Sequence, residues 1–130
     1  MTRVAIVTAS DSGIGKTTAL MLAERGFDIG VTWHSDEKGA LETCREVEAQ
    51  GQRAEAIHLD LSTLPEGAEG IETLIARFGR LDVLVNAAGI LRMGATDQLS
   101  QEDWQQTFAV NVGGAFNLFQ QTMGQFRRQQ

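Results

Sequence analysis

Apolar residues in this chain follow two alternating patterns. Four short, mostly apolar runs are each followed by a longer segment in which apolar residues recur at spacings of three and four. Short runs bounded by turn residues indicate buried strands, and the longer spacing indicates helices. The predicted strands are Arg3–Thr8, Asp28–Trp33, Arg53–Leu59 and Leu81–Val85, and the predicted helices cover about residues 14–25, 35–51, 65–79 and 100–126. This order predicts an α/β fold, a doubly wound parallel sheet of about four strands with helices on both faces.

Turn and capping residues mark the ends of these elements. Gly26 is predicted to close the first helix and Gly79 the third, because glycine readily adopts the left-handed conformation that ends many helices. Ser35 is predicted to cap the second helix, with Asp36 and Glu37 in its first turn, where negative charge is favourable. No linker or repeat interrupts the alternation, so the chain is predicted to form a single domain.

A turn rich in small residues joins the first strand to the first helix, with the sequence Thr8-Ala9-Ser10-Asp11-Ser12-Gly13-Ile14-Gly15. The first backbone N–H groups of a helix and the positive end of its dipole converge on one place, which suits a phosphate. Gly13 and Gly15 lack a Cβ, so ligand and strand can approach closely. Taken alone, this stretch is also compatible with an ordinary strand-to-helix turn that binds nothing.

Polar and small residues also occur where the other predicted strands end. Trp33–Ser35 lie at the end of the second strand, Asp60 follows the third and Asn86–Gly89 follow the fourth. Because the ligand crevice of a doubly wound sheet lies at the carboxyl ends of its strands, these residues and the turn are predicted to form one site.

Composition restricts the partners and the location. The chain has 130 residues, of which 42% are hydrophobic, and a net charge of −6, which argues against a nucleic-acid groove. No apolar run approaches the roughly 18 residues of a membrane span, and the N-terminus lacks a signal-peptide pattern. Cys44 is the single cysteine, so a reducing cytoplasm is predicted. With two histidines besides, no metal site is expected.

The order and spacing of these motifs resemble the first half of a short-chain dehydrogenase/reductase. That family's nucleotide turn, T-G-x-x-x-G-x-G, is matched by residues 8–15, and its N-N-A-G by residues 86–89. Its acidic residue after the third strand is matched by Asp60, and its helix asparagine by Asn111. Ala9 replaces the family's first glycine and Ala87 its second asparagine, but both are small. The resemblance implies that residues 1–130 are a C-terminally truncated NAD(P)-binding Rossmann domain with an incomplete sheet.

The resemblance also implies roles along a dinucleotide. The turn would hold the phosphates and ribose, Asp60 and Leu61 would meet the adenine, and residues 86–89 would lie along the adenosine ribose and the central sheet. The implied cofactor-binding residues are Thr8, Ser10, Asp11, Ser12, Gly13, Ile14, Gly15, Trp33, His34, Ser35, Asp60, Leu61, Asn86, Ala87, Ala88 and Gly89.

The end of the second strand bears on the choice of cofactor. NAD enzymes commonly place an acid there to accept from the ribose 2′-hydroxyl, whereas a donor serves a 2′-phosphate. That position is Trp33 here, and Asp36 is assigned to the following helix. His34 and Ser35 can donate to a phosphate. NADP is therefore the predicted cofactor, with NAD as the alternative.

The family's remaining catalytic residues lie beyond the matched region. Its mechanism uses a Tyr-x-x-x-Lys pair and a serine, and this chain contains no tyrosine. By resemblance, Asn111 is the one catalytic residue present and would hold a proton-relay water; the alternative is an asparagine that satisfies backbone groups within its own helix. We therefore predict an NAD(P)-dependent oxidoreductase. Its full-length parent transfers hydride to or from the carbonyl or alcohol of a small molecule, and this chain alone is inactive.

Two alternatives come from other classes. Ser10-x-x-x-x-Gly15-Lys16-Thr17 matches the phosphate-binding loop of nucleotide hydrolases except at its first glycine, and Asp60 could serve as the magnesium-binding acid. Serine is a poor substitute for that glycine, and the hydrolase does not account for residues 86–89 or Asn111. A non-catalytic dinucleotide-binding or interaction module is the second alternative, favoured by the missing tyrosine.

The last predicted helix has a broad apolar stripe. Its members are Trp104, Phe108, Val112, Ala115, Phe119, Met123 and Phe126, widened by Phe116 and Leu118. Such width indicates a helix packed on a sheet on one side and on another subunit on the other. In the resembled family this helix commonly lies in a dimer interface, so a homo-oligomer is predicted.

Overall fold

The computed structural model describes all 130 residues, Met1–Gln130. Its strands are β1 (Val4–Val7), β2 (Asp28–Trp33), β3 (Ala54–His58) and β4 (Val83–Val85), and they form one sheet in the order β3-β2-β1-β4. The helices are α1 (Gly13–Glu24), α2 (Glu37–Ala49), α3 (Glu66–Glu69), α4 (Ile71–Phe78), α5 (Gln101–Phe108) and α6 (Gly114–Arg128), and a π-helical segment, Ala109–Gly113, joins the last two. All strand pairs are parallel. The predicted α/β class and the four-stranded, Rossmann-like parallel sheet are confirmed.

Helices cover both faces of the sheet, as the alternation of elements predicts. Buried side chains of β1 and β2 meet α1 and α2 on one face, where Ala19, Cys44 and Val47 complete the core. On the opposite face, Ile6 meets α4, the π segment and α6. Because β1 is covered on both faces, all four of its residues are buried, which explains why it is an uninterrupted apolar run.

The strand order changes direction beside β1. The chain proceeds from β1 to β2 and β3 on one side and then returns to place β4 on the other side of β1. The loops that leave the carboxyl ends of β1 and β4 therefore diverge, and a crevice opens between these loops. This switch point positions the candidate site.

Two predicted helices are interrupted in the structure. The helix predicted over residues 65–79 divides at Gly70 into α3 and α4, because glycine is a poor helix former and a new turn begins there. The helix predicted over residues 100–126 contains the π-helical segment. Ser100 begins this helical run with a capping box that it forms with Asp103.

The prediction that Ser35 caps the second helix is wrong. Asp36 is the N-cap residue, and its Oδ1 accepts the Gly39 N–H at 2.9 Å. The carboxylate of Asp36, one residue after Ser35, reaches the N–H of the third helical residue, so Ser35 lies outside the helix. The glycine stops at Gly26 and Gly79 are confirmed, both with positive φ.

A glutamine side chain pairs with the backbone just before β4. The side-chain amide of Gln129, just beyond α6, accepts from the Leu81 N–H at 2.8 Å and donates to the Leu81 carbonyl at 2.7 Å. It therefore pairs with the backbone as a neighbouring strand would. Val83–Val85 have a strand partner only in β1.

Candidate dinucleotide-binding site

A cleft of about 380 Å³ opens at the carboxyl ends of the strands. Of the predicted cofactor-binding residues, those that line it are Asp11, Ser12, Trp33, His34, Ser35, Asp60, Leu61, Ala88 and Gly89. The others are not among its lining residues: Thr8, Ser10, Gly13, Ile14, Gly15, Asn86 and Ala87. The structure thus brings the four predicted segments to one edge of the sheet, although not every side chain faces the cleft.

The turn after β1 bends through two residues with left-handed backbone conformation. Ala9 has φ +51° and Gly13 has φ +56°. Ala9 stands where the resembled family has glycine, and it adopts the conformation that glycine would favour. Behind it, a Cβ added to Gly15 would lie 2.2 Å from the Ala9 carbonyl oxygen. Residue 15 must therefore be glycine for α1 to approach the turn this closely.

The N-terminus of α1 offers a row of unpaired donors. The backbone N–H groups of residues 11–15 make no hydrogen bond within the protein, whereas those of Ser10 and Lys16 bond to Thr32 and Ser12. Ser12, the N-cap residue, does not cap the helix with its side chain. Free N–H groups together with the positive end of the helix dipole form an anion site. This donor set fits the diphosphate of a dinucleotide.

The turn is held from behind by buried hydroxyl groups. Ser10 Oγ donates to the Val7 carbonyl at 2.7 Å, so this predicted site residue directs its hydroxyl into the core. The Thr43 hydroxyl, from α2, donates to the Ser10 carbonyl at 2.8 Å. Thr32 Oγ1 accepts from the Ala9 N–H at 3.1 Å. These bonds satisfy the inner side of the turn and leave its outer donors free.

Thr8 joins the ends of β1 and β4. Its hydroxyl donates to Asn86 Oδ1 at 2.6 Å and accepts the Ala87 and Ala88 N–H groups at 3.0 and 3.1 Å. The residue is fully buried, so a polar group here requires these partners. Thr8, Asn86 and Ala87 therefore shape the wall of the cleft from below, and Ala88 and Gly89 form its surface.

The far end of the cleft carries an ionised carboxylate beside two imidazoles. Asp60 Oδ1 accepts from the Ser62 hydroxyl at 2.6 Å and the Ser62 N–H at 2.9 Å, and His34 Nε2 lies 3.5 Å from the same atom. The two hydrogen bonds from Ser62 are the main cause that lowers the Asp60 pKa, assisted by His34 and His58. Asp60 is thus held as an anion, and its Oδ2 remains available as an acceptor. Leu61 beside it is buried.

Asn111 lies in the π-helical segment and contacts the chain beyond Gly89. Its Nδ2 donates to the Ile90 carbonyl and its Oδ1 accepts the Ile90 N–H, both at 2.8 Å. The alternative in which Asn111 satisfies its own helix is therefore wrong. π-helical turns often occur at functional sites because they redirect a side chain. Here the segment directs Asn111 towards the loop after β4.

Several lining residues were missed by sequence reasoning: Ala9, Thr32, Leu59, Ser62, Ile90, Arg92, Gln106 and Val110. Ser62 could have been predicted from the sequence, because an aspartate side chain in a turn commonly accepts a hydrogen bond from the backbone two residues further on. No motif or spacing in the sequence around Arg92 indicated that it would line the cleft. It is the only lysine or arginine among the lining residues, and its guanidinium donates to Gln106 Oε1 of α5 at 3.0 Å. No cluster of three or more metal-ligating side chains is present.

Comparison with known proteins identifies the fold family. The family model described as short chain dehydrogenase matches residues 3–130. The chain belongs to the short-chain dehydrogenase family. The cleft lies at the edge of the sheet where the family resemblance places a dinucleotide. Ala9 and Ala87 depart from the family motifs, and the family's fold tolerates both. None of its helices combines the length and apolarity needed to cross a membrane.

Individual relatives agree with this assignment. YohF of Escherichia coli (strain K12), an uncharacterized oxidoreductase, is 57% identical over 116 residues, which are 89% of this chain and 46% of that protein. Acetoin dehydrogenase from Enterobacter cloacae superposes with a TM-score of 0.95 at 70% identity, over 99% of this chain and 51% of that one. A short chain dehydrogenase from Burkholderia cenocepacia J2315 in complex with NADP superposes with a TM-score of 0.91 at 34% identity, over 95% and 50%. This short-chain dehydrogenase chain spans about half the length of the relatives it matches.

Proposed function

We propose that this chain is the NADP-binding half of a short-chain oxidoreductase. The cofactor's diphosphate lies on the free N–H groups of residues 11–15, and its adenosine end extends towards Trp33–Ser35 and Asp60. Residues 86–89 lie along its adenosine ribose and the central sheet, and its nicotinamide end extends beyond them towards Asn111. The observation that carries the proposal is the uncapped N-terminus of α1, which opens into the cleft at the switch point of the sheet.

The preference for NADP over NAD is supported by the groups at the end of β2. Trp33, His34 and Ser35 line the cleft there, and none of them carries a carboxylate. The nearest acid in sequence, Asp36, uses its carboxylate to cap α2 and is absent from the cleft lining. A 2′-phosphate therefore meets donors rather than an acceptor. The related structure in complex with NADP gives independent support.

In the whole protein, the proposed reaction is hydride transfer between the nicotinamide and a small carbonyl compound or alcohol. The similarity to an acetoin dehydrogenase supports this substrate class. The cofactor supplies the hydride to a carbonyl compound or accepts it from an alcohol, and the residues of this chain bind and orient the cofactor. Asn111 holds the Ile90 backbone through both polar atoms of its amide, so its proposed role is to position the loop beside the reacting end. The chain has no tyrosine to exchange a proton with the substrate. By itself, it is proposed to bind without turnover.

Titration with nucleotides tests the proposed cofactor. The chain has two tryptophans, Trp33 in the cleft and Trp104 on α5. In a Trp104→Phe variant, emission reports on Trp33 alone. We expect NADPH to change this emission at a concentration at least about fivefold lower than NADH, since charge-assisted hydrogen bonds to the phosphate contribute roughly 1.5–3 kcal/mol. Tighter binding of NADH would overturn the proposed preference.

A Lys16→Ala variant separates this proposal from the nucleotide-hydrolase alternative. Lys16 Nζ pairs with Glu46 Oε2 of α2 at 2.7 Å and does not line the cleft. We expect the NADPH dissociation constant to change less than about twofold and the free energy of unfolding to fall by at most about 1 kcal/mol. Glu46→Gln is the matched control, because it removes the same ion pair and leaves the lysine. Loss of NADPH binding in Lys16→Ala alone, with binding of magnesium-ATP by the wild type, would support the hydrolase instead.

A cytoplasmic location is proposed on the state of the single cysteine. Cys44 is a free thiol in the core between α2 and the sheet. Burial is the main cause that raises its pKa to about 11, so it remains protonated and unreactive. Because Cys44 is the single cysteine of the chain, it has no partner with which to form an internal disulfide. Free thiols of this kind are usual for proteins of a reducing compartment.

A further inference from the structure

His58 lies at the carboxyl end of β3, next to the cleft but outside its lining. Its register partner in β2 is Trp33, so the two side chains share the end of a strand pair. The His58 ring meets the Trp33 ring edge-on at a centroid distance of 4.7 Å and stacks on the His34 ring at 5.8 Å. One side chain therefore contacts both aromatic residues at the proposed adenosine end.

A hydrogen bond also connects His58 to the main chain of this segment. Its Nε2 lies 2.9 Å from the His34 carbonyl oxygen. Because a carbonyl oxygen only accepts, Nε2 must carry the hydrogen. The regular β2–β3 pairing ends one step earlier, where the Leu59 N–H donates to the Trp33 carbonyl at 2.8 Å. The His58 side chain thus extends the pairing by one residue, beyond the end of β2.

This extension determines how His34 is presented to the cleft. Beyond Trp33 the chain leaves the sheet, and α2 begins only at Glu37. The His34 side chain is 65% exposed, so little else holds its ring. Stacking on His58 restrains the ring on one side, and the Asp60 carboxylate lies 3.5 Å from its Nε2. His34 is therefore oriented from β3 as well as from the strand that precedes it.

We propose that His58 is a positioning residue that sets the discrimination between a 2′-phosphate and a 2′-hydroxyl at the adenosine ribose. It acts through His34, whose carbonyl and ring it holds at the end of β2, and does not itself contact the cofactor. This inference rests on the proposed NADP binding. A 2′-phosphate depends on donors of fixed position, whereas the uncharged 2′-hydroxyl of NADH depends on them less and loses little affinity when the segment becomes mobile.

Two substitutions separate the hydrogen bond from the ring contacts. His58→Phe keeps an aromatic ring against Trp33 and His34 but has no donor for the His34 carbonyl. His58→Gln keeps a donor and loses the ring. Dissociation constants for NADPH and NADH are measured by calorimetry for both variants and the wild type, and thermal unfolding followed by circular dichroism checks that each variant is folded.

We expect His58→Phe to weaken NADPH binding about tenfold and NADH binding less than threefold, because one hydrogen bond that orders the segment is lost. His58→Gln restores NADPH binding to within about threefold of the wild type. If the ratio of the NADPH to the NADH dissociation constant is the same in His58→Phe as in the wild type, the inference is overturned. The inference is also overturned if both variants lose equal affinity for NADPH and NADH and have a lower melting temperature. A wild type that binds neither nucleotide would instead overturn the proposed function and, with it, this inference.

Discussion

A Gly15→Ala variant is expected to lose NADPH binding by about 100-fold or more. The added Cβ would lie 2.2 Å from the Ala9 carbonyl oxygen and 2.8 Å from the Ala9 carbonyl carbon, and both are backbone atoms that cannot rotate away. Either α1 or the turn must shift, and a displacement of about 1 Å in a positioning element can cost on the order of 100-fold. Overpacking also lowers the free energy of unfolding by roughly 1–3 kcal/mol. Calorimetric titration and chemical unfolding measure the two effects.

Gly26→Ala is the matched control for this substitution. Gly26 has φ +86° at the end of α1, and a Cβ there would meet nothing within 4 Å. The variant strains the backbone by about 1 kcal/mol or slightly more, at the opposite end of the same helix. We expect a similar loss of stability and an unchanged NADPH dissociation constant. Full NADPH affinity in Gly15→Ala would show that the phosphates do not lie on this turn.

The wild-type chain is expected to self-associate through α5 and α6, and a Phe119→Asp variant is expected to be monomeric. The side chains left exposed on this face are Trp104, Phe108, Val112, Phe116, Phe119 and Met123, each between 44% and 62% accessible. Burying an exposed leucine- or phenylalanine-sized side chain contributes roughly 1.5–3 kcal/mol, so two such faces packed together have enough apolar area to associate. Sedimentation over a range of concentrations gives the mass of the species present.

Controls distinguish association from folding. Leu41 on α2 is 45% exposed and lies on a helix of the other face, so Leu41→Asp should leave the association intact. Leu118 of α6 is fully buried in the core, and Leu118→Asp should unfold the chain. The structure therefore divides the broad stripe predicted for this helix, since Leu118 packs inward and Phe119 does not. A wild type that remains monomeric at high concentration would contradict the predicted homo-oligomer.

Local patterns in the sequence were sufficient to predict the four strands, the first two helices and the edge of the sheet where the cleft opens. The run Val4–Val7, the helical spacing of Ile71, Leu74 and Ile75, and the stops at Gly26 and Gly79 depend on neighbouring residues alone. Because parallel strands end on one edge, placing Asp60 and Gly89 beside the glycine turn needed only the order of elements. The bounds of β1, β3 and β4 were each predicted one or two residues too long at one end or both.

Other features depend on partners that are distant in sequence. The bonds of Thr8 to residues 86–88, of Thr43 to Ser10 and of His58 to His34 join segments 24 to 80 residues apart. No local period or spacing encodes such pairs, because a threonine or histidine at the end of a strand has no fixed partner until the sheet has formed. The sequence by itself determined which helix N-terminus binds the phosphates in the proposed function. Only the tertiary structure decided which side chains hold that turn from behind, which reach the cleft, and that Asn111 points towards Ile90 rather than its own helix. Those choices depend on packing between elements, which local propensity does not specify.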